Sequence, residues 1–238
     1  MNKEELIFEL KKLNLDFSDE TINKLIIYKD FLLEYNSHTN LTAIKTEEEV
    51  FLKHFYDSLT ITKVVDLKKY NTLIDIGTGA GFPGMVLKVF FPHLNITLLD
   101  SNNKKTKFLS ELKEKLNLEV NIVNSRVEDY SKVNLNKFDI VTSRAVANLR
   151  VLSELSLPLI KTKGLFIPMK GILDENLEDS KETIEIMNGK ILNQVTFELY
   201  NNSGTRNILV IEKHKDTEIG NIRTYDKILK KPLKKKNK

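Results

Sequence analysis

The stretch from Leu73 to Gly84 constrains this chain more than any other: Leu73-Ile74-Asp75-Ile76-Gly77-Thr78-Gly79-Ala80-Gly81-Phe82-Pro83-Gly84. A short apolar run ends in an acid, then turns through closely spaced glycines into an apolar, helix-like segment. Glycine permits a tight turn and lets backbone approach a ligand with no Cβ in the way. A P-loop needs Gly-x-x-x-x-Gly-Lys-Ser/Thr. Gly79 and Gly84 have that separation, but Met85-Val86 follow, so neither the phosphate lysine nor the magnesium hydroxyl is supplied. A dinucleotide fingerprint needs Gly-x-Gly-x-x-Gly, and its third place here is Phe82, too bulky for close helix packing. Two readings remain: a nucleoside-binding loop of another kind, or a glycine turn that binds nothing.

The surrounding pattern is an alternation of strands and helices. Apolar runs at Thr72–Ile76, Asn95–Leu99, Val120–Val123, Asp139–Ser143 and Gly164–Pro168 are separated by helix-like stretches. One of these is 103–117, with Phe108, Leu109, Leu112 and Leu116 on one face. Such alternation predicts βαβ units and a mostly parallel sheet. Val195–Tyr200 and Asn207–Glu212 flank Asn201-Asn202-Ser203-Gly204 and predict an antiparallel hairpin. Before the glycine loop, helical periodicity marks 3–14, 19–36 with Ser18 as N-cap, and about 47–65 with Thr46 and Glu49 as a capping box. The predicted organisation is a helical extension over 1–65, a ligand-binding α/β domain over 66–214, and a basic, flexible tail over 215–238.

Composition narrows the chemistry. The chain has 238 residues and no cysteine, which removes disulfides, thiolate metal sites and cysteine nucleophiles. The four histidines show no metal spacing, so no metal is expected. No run is long and apolar enough for a membrane span, and the first residues resemble neither a signal nor a transit peptide. A cytoplasmic protein is expected. The net charge of +4 comes from residues 227–238, which carry seven lysines and no acids while the remainder is negative. Such a tail suits a solvated end or a salt-sensitive hold on phosphate backbone.

The acid-x-Gly-x-Gly-x-Gly pattern resembles the first motif of class I methyltransferases. Asp100, closing the second run, is placed to accept hydrogen bonds from ribose hydroxyls. Ser125-Arg126-Val127-Glu128-Asp129 follows the third run, where that class meets adenine. After the fourth run the chain reads Phe138-Asp139-Ile140-Val141-Thr142-Ser143-Arg144-Ala145, without the Pro-Pro and aromatic clamp that exocyclic amine targets require. An acceptor with a lone pair and no proton to lose, such as guanine N7, would need no base. This permits N7 without selecting it.

Ordered markers along the chain then resemble one family. They are Tyr35-Asn36, Asn40-Leu41-Thr42, His54 with Asp57-Ser58-Leu59, the Asp75–Gly84 loop, Leu99-Asp100-Ser101 and Ser125-Arg126-Val127-Glu128. Ser143-Arg144-Ala145, Met169-Lys170-Gly171 and Arg206 before Asn207-Ile208-Leu209-Val210-Ile211 complete the set. The chain resembles the bacterial small-subunit ribosomal RNA guanine-N7 methyltransferases of the RsmG (GidB) type, from about Tyr28 to Lys213. The resemblance implies a class I, Rossmann-like sheet of seven mostly parallel strands with a C-terminal antiparallel hairpin and a helical N-terminal extension. It implies S-adenosylmethionine as cofactor and a guanine of 16S ribosomal RNA in the small subunit as substrate. It places the cofactor against Gly77, Gly79, Phe82, Asp100, Val127, Glu128 and Arg144. Substrate-side candidates are Arg126, Arg144, Lys170, Asn40 and His54, with no general base assigned. Tyr35 departs from the tryptophan common in that family, and the lysine-rich end departs from its proline- and glycine-containing one. Monomer is the default. The rivals are a methyltransferase of the same fold with a small-molecule or protein substrate, and a non-catalytic ribosome-binding factor.

Overall fold

In the computed structural model, residues 1–144, 147–171 and 177–234 are described. The glycine loop lies where the sequence pattern puts it, after the central strand of a seven-stranded sheet. The strands are β1 (Thr72–Ile76), β2 (Asn95–Asp100), β3 (Asn121–Asn124), β4 (Phe138–Arg144), β5 (Ile160–Lys170), β6 (Gly189–Glu198) and β7 (Thr205–Lys213), in the order β3-β2-β1-β4-β5-β7-β6. β1 to β5 pair parallel; β7 inserts antiparallel between β5 and β6. The order reverses beside β1, so the carboxyl ends of β1, β2 and β4 open onto one crevice.

Period-two alternation builds a core on each face of the sheet. Leu73, Ile96, Leu98, Ile140, Ile208 and Val210 face one apolar layer; Ile74, Ile76, Leu99, Val141, Leu209 and Ile211 face the other. The first layer is completed by the N-terminal helices α1 (Lys3–Lys12) and α2 (Asp19–Thr39), through Leu6, Leu10, Leu25, Tyr28 and Leu32. Ser18 caps α2 as expected, exchanging bonds with Thr21. The next segment begins with α3 (Glu47–Glu49), widens into a π-helical stretch (Val50–Tyr56), and continues through α4 (Asp57–Leu59) into a 3-10 turn (Thr60–Lys63). Thr46 caps it by accepting the Glu49 N–H, but the expected reciprocal bond is replaced by a Glu49–Lys53 ion pair of 2.8 Å. Helices α5 (Gly84–Phe90) and α6 (Asn103–Leu116) share this face, whereas α8 (Leu149–Ser156) and α9 (Leu177–Ile186) lie on the other side with α7 (Val127–Val133) alongside.

Two strands start four or more residues before their expected apolar runs. β5 begins at Ile160 because Lys161, Thr162 and Lys163 are exposed and carry no apolar signal. β6 begins at Gly189 because this edge strand is largely exposed, so Lys190, Asn193 and Gln194 dilute the alternation. In the lysine-rich end, α10 (Tyr225–Lys230) buries Ile228 against the second layer. Arg223 forks onto Glu154 of α8, with Nη2 to Oε2 at 2.6 Å, and Arg150 Nη1 donates to Ile228 O at 3.0 Å. The last lysines, 235, 236 and 238, and Ala145 of the Ser143-Arg144-Ala145 marker lie outside the described residues.

The loop glycines differ in what they require. Gly77, Gly79 and Gly81 all have positive φ. A Cβ on Gly79 would meet nothing within 4 Å, whereas one on Gly81 would lie 2.5 Å from Tyr28 Oη and 2.8 Å from Met85 Cβ. Gly79→Ala should therefore cost only the left-handed backbone, about 1–2 kcal/mol. Gly81→Ala adds a clash inside a packed layer and should cost about 2–4 kcal/mol. Urea unfolding of the two variants checks the ranking; equal losses would contradict it.

Candidate active site

The loop is held by two carboxylates with different tasks. Asp75 is fully buried, and its Oδ2 accepts from Thr78 Oγ1 at 2.6 Å and from Gly84 N–H at 2.8 Å. It thereby ties the end of β1 to both the turn and the start of α5. Asp100 closes β2 and accepts from Gly79 N–H on Oδ2 and from Asn102 N–H on Oδ1, both at 2.9 Å. An ionised carboxylate has about four lone-pair sites, so two remain for a ligand.

Asp100 and the glycine loop border a cavity of about 420 Å³, inside the range of about 300–1,000 Å³ usual for small-molecule sites. Gly77, Gly79, Phe82, Asp100, Arg126, Val127, Glu128, Arg144 and His54 all line it. The sequence reading thus brings together every expected cofactor residue and three of five substrate-side candidates. Asn40 and Lys170 are elsewhere. Asn40 is exposed, with φ 52°, and terminates α2 by donating its N–H to Asn36 O at 3.3 Å. Lys170 sits half-buried at the end of β5 and donates to Ala147 O at 2.7 Å. Thr42, part of the Asn40-Leu41-Thr42 marker but not among the site candidates, lines the cavity, as do Lys105, Leu155 and Tyr225, which the sequence did not single out. The Arg126 guanidinium lies 5.6 Å from the Tyr225 ring centroid. An aromatic set in a lysine-rich stretch was the available signal for Tyr225.

One wall is an aromatic stack capped by a buried ion pair. The Phe82 ring stacks near-parallel with Tyr28, at 5.3 Å and 3°, and with His54, at 4.0 Å and 8°. Tyr28 also donates to Ala80 O, fastening α2 to the glycine loop. Arg144 stands 5.1 Å over the same Phe82 ring and donates to Lys53 O at 2.6 Å, Asp57 Oδ2 at 3.1 Å and His54 Nδ1 at 2.9 Å. Asp57 Oδ1 accepts from Arg206 Nε at 2.8 Å, so one buried carboxylate serves two arginines. The π-helical stretch supplies His54 at its end and Asp57 one turn later, both on the face that meets Arg144. Burial, reinforced by the Arg144 charge, pushes the His54 imidazole down to about 2, so the ring is neutral. Among the described residues no group of histidine and acidic side chains is placed to hold a metal ion.

Comparison with known proteins places this arrangement. The family model described as rRNA small subunit methyltransferase G matches residues 21–208. The chain belongs to this family. The Ribosomal RNA small subunit methyltransferase G of Bacillus licheniformis is 43% identical over 221 residues, covering 91% of this chain and 92% of that protein. That of Acetivibrio thermocellus is 45% identical, covering 92% and 91%. Among solved structures, the YcgJ protein of Bacillus subtilis superposes with TM-score 0.53 at 14% identity, covering 67% of this chain and 98% of that one. TYW2 of M. jannaschii, solved in complex with AdoMet, superposes with TM-score 0.51 at 15% identity, covering 63% and 70%. At these identities the structural likenesses establish the fold, a Rossmann-like α/β sheet. The family match makes the chain an rRNA small-subunit methyltransferase.

Asp75 gives this site a pH dependence. Its burial pushes the carboxyl up to about 7, against the opposing pull of Thr78, Gly84 and the Arg144 charge. In the unfolded chain the same group titrates near 3.8. Between these values the folded protein holds a proton that the unfolded chain releases, so stability falls as pH rises through that window. Asp75→Asn cannot titrate and should gain on the wild type across it. Thermal midpoints of both proteins from about pH 4 to about pH 8 measure the gap; parallel curves would show that Asp75 is not the group responsible.

Proposed function

We propose that this protein transfers a methyl group from S-adenosylmethionine to N7 of a guanine in 16S ribosomal RNA of the small subunit. The observation that carries the reading is the meeting of the family's cofactor positions, Gly77, Gly79, Phe82, Asp100, Val127, Glu128 and Arg144, around one cavity. Their chemistry fits the cofactor. The lone pairs left on Asp100 suit the two ribose hydroxyls. Val127 offers an apolar surface at the place expected for adenine, beside the Arg126–Tyr225 pair. Gly77 and Gly79 leave the loop backbone bare toward the cavity. When bound, the cofactor supplies a sulfonium methyl that is already activated.

The protein's contribution is then position rather than proton transfer. Holding two reactants in line can supply about 7–11 kcal/mol of the barrier. Guanine N7 carries no hydrogen, which matches a wall whose histidine is neutral and already hydrogen-bonded to Arg144 and Thr42. N7 lies on the major-groove edge, which A-form RNA hides from side chains, so the target guanine belongs in a loop or distorted element. On this reading the protein acts as a cytoplasmic monomer without a metal. Residues 1–65 serve as the helical extension, 66–214 as the methyltransferase domain and 215–238 as a basic tail that helps hold RNA. No helix among the described residues is long and apolar enough to cross a membrane.

Tritiated methyl transfer with small subunits lacking the modification, large subunits, naked 16S RNA or no RNA tests the proposal. Label confined to 16S RNA and recovered as 7-methylguanosine is expected. Label in another nucleoside, or in protein alone, would overturn it. Asp100→Asn replaces one acceptor oxygen by a donor and should weaken S-adenosylmethionine binding about tenfold or more. Titration calorimetry reads this directly, and unchanged affinity would remove Asp100 from the ribose site.

A further inference from the structure

The hydrogen bonds on the N-terminal wall of the cavity have directions fixed from one end. A guanidinium can only donate. Arg144 Nη2 lies 2.9 Å from His54 Nδ1, so Nδ1 is the acceptor and the single ring proton sits on Nε2. Nε2 lies 3.1 Å from Thr42 Oγ1 and donates to it. Ile44 N–H donates to the same Oγ1 at 3.2 Å. A hydroxyl has two acceptor sites and one proton. Both acceptor sites of Thr42 are therefore filled, and only its O–H remains. Among the described residues no acceptor takes that proton, and Thr42 lines the cavity.

The hydroxyl is also held in place. Asn36 grips the Thr42 backbone from both sides, accepting its N–H and donating to its C=O, each at 2.9 Å. Thr42 is thus a rigid group that offers a donor and refuses one. It comes from the N-terminal layer with Leu41 and His54, whereas the cofactor positions Asp100, Val127 and Glu128 lie at the end of β2 and the start of α7. The cofactor positions Phe82 and Arg144 border this layer through His54, and the wall beyond them, around Thr42, is the part left for the methyl acceptor.

We propose that Thr42 is a specificity-determining residue whose hydroxyl donates to O6 of the target guanine. This rests on the guanine-N7 reading above. On its major-groove edge guanine presents two acceptors, N7 and O6, whereas adenine presents N7 and an amino donor. N7 must keep its lone pair for the methyl, so O6 is the atom left for a donor. Adenine in the same pose would set its amino group against the Thr42 O–H, donor against donor, with neither satisfied. The relay from Arg144 prevents the hydroxyl from turning round to accept, because His54 Nε2–H and Ile44 N–H already occupy it. Selection of guanine over adenine, both of which carry N7, is then made at the neighbouring group on the same major-groove edge.

The test uses Thr42→Val, which keeps the shape and removes the hydroxyl, and Thr42→Ser, which keeps the hydroxyl. Small subunits are reconstituted with 16S RNA carrying either guanine or 2-aminopurine, which lacks O6 and retains N7, at the methylated position. On guanine subunits Thr42→Val should lower single-turnover methylation about tenfold and Thr42→Ser should restore most of it. On 2-aminopurine subunits Thr42→Val should be no slower than the wild type, and its S-adenosylmethionine affinity should be unchanged. An equal loss on both substrates would mean a structural role only, and weakened cofactor binding would mean that the hydroxyl serves the cofactor; either overturns the inference. Wild-type protein that forms no 7-methylguanosine on guanine subunits would instead overturn the parent reading, and this inference with it.

Discussion

A single buried carboxylate oxygen holds the glycine loop in shape. Asp75 Oδ2 takes the Thr78 hydroxyl and the Gly84 N–H together, so the end of β1, the turn and the start of α5 move as one piece. A Cβ on Gly84 would meet Asp75 Cβ at 2.9 Å and run into Leu98 Cδ2, which shows how closely helix and strand approach there. Asp75 does this without lining the cavity; Asp100, from the neighbouring strand, holds Gly79 from the other side and does line it. The two acids at adjacent strand ends thus divide their work, one shaping the loop and one facing the ligand. The cost is a buried Oδ1 with no hydrogen-bond partner among the described residues, and burial raises the carboxyl toward neutrality.

The helical extension completes the site rather than merely shielding the sheet. Phe82, on the glycine loop, stacks with both Tyr28 of α2 and His54 of the π-helical stretch. Each such aromatic pair contributes about 0.5–1.5 kcal/mol beyond the area it buries. The same ring that spoils a dinucleotide fingerprint therefore acts as the docking point for the N-terminal layer. Without that layer the cavity would lose Leu41, Thr42 and His54, and Arg144 would lose Asp57.

Sequence patterning carried the fold well where burial is one-sided or complete. β1 begins and ends where its apolar run does, and α6 spans 103–116 against an expected 103–117. It failed where exposed polar residues continue a strand, at Lys161–Lys163 of β5 and along edge strand β6. At the site, the residues that touch the cavity through strand ends were legible because strand ends have fixed addresses in such a sheet. Asn40 was not: a helix-terminating asparagine with φ 52° and a ligand-binding asparagine have the same sequence. Thr42 and Tyr225 reach the cavity only through tertiary packing, Thr42 from the segment after α2 and Tyr225 from α10 folded over α8 by Arg223 and Glu154. No local periodicity encodes such contacts.

Charge explains why Arg144 needs so much company. A cationic ligand and a bare guanidinium in one small cavity would repel each other strongly, the more so away from water. Asp57, with a side chain only 5% exposed, pairs with Arg144 at 3.1 Å and with Arg206 at 2.8 Å, so one carboxylate offsets part of the charge of both. His54 adds no charge of its own because burial keeps it neutral. In the proposed reaction, methylation at N7 would move a positive charge from cofactor to base and leave the total unchanged, so a wall whose cations are pinned to Asp57 would suit both ends of it. The Asp57–Arg144–His54 relay is fixed in direction from the guanidinium outward, and so it can orient a hydroxyl at the substrate without passing a proton to anything.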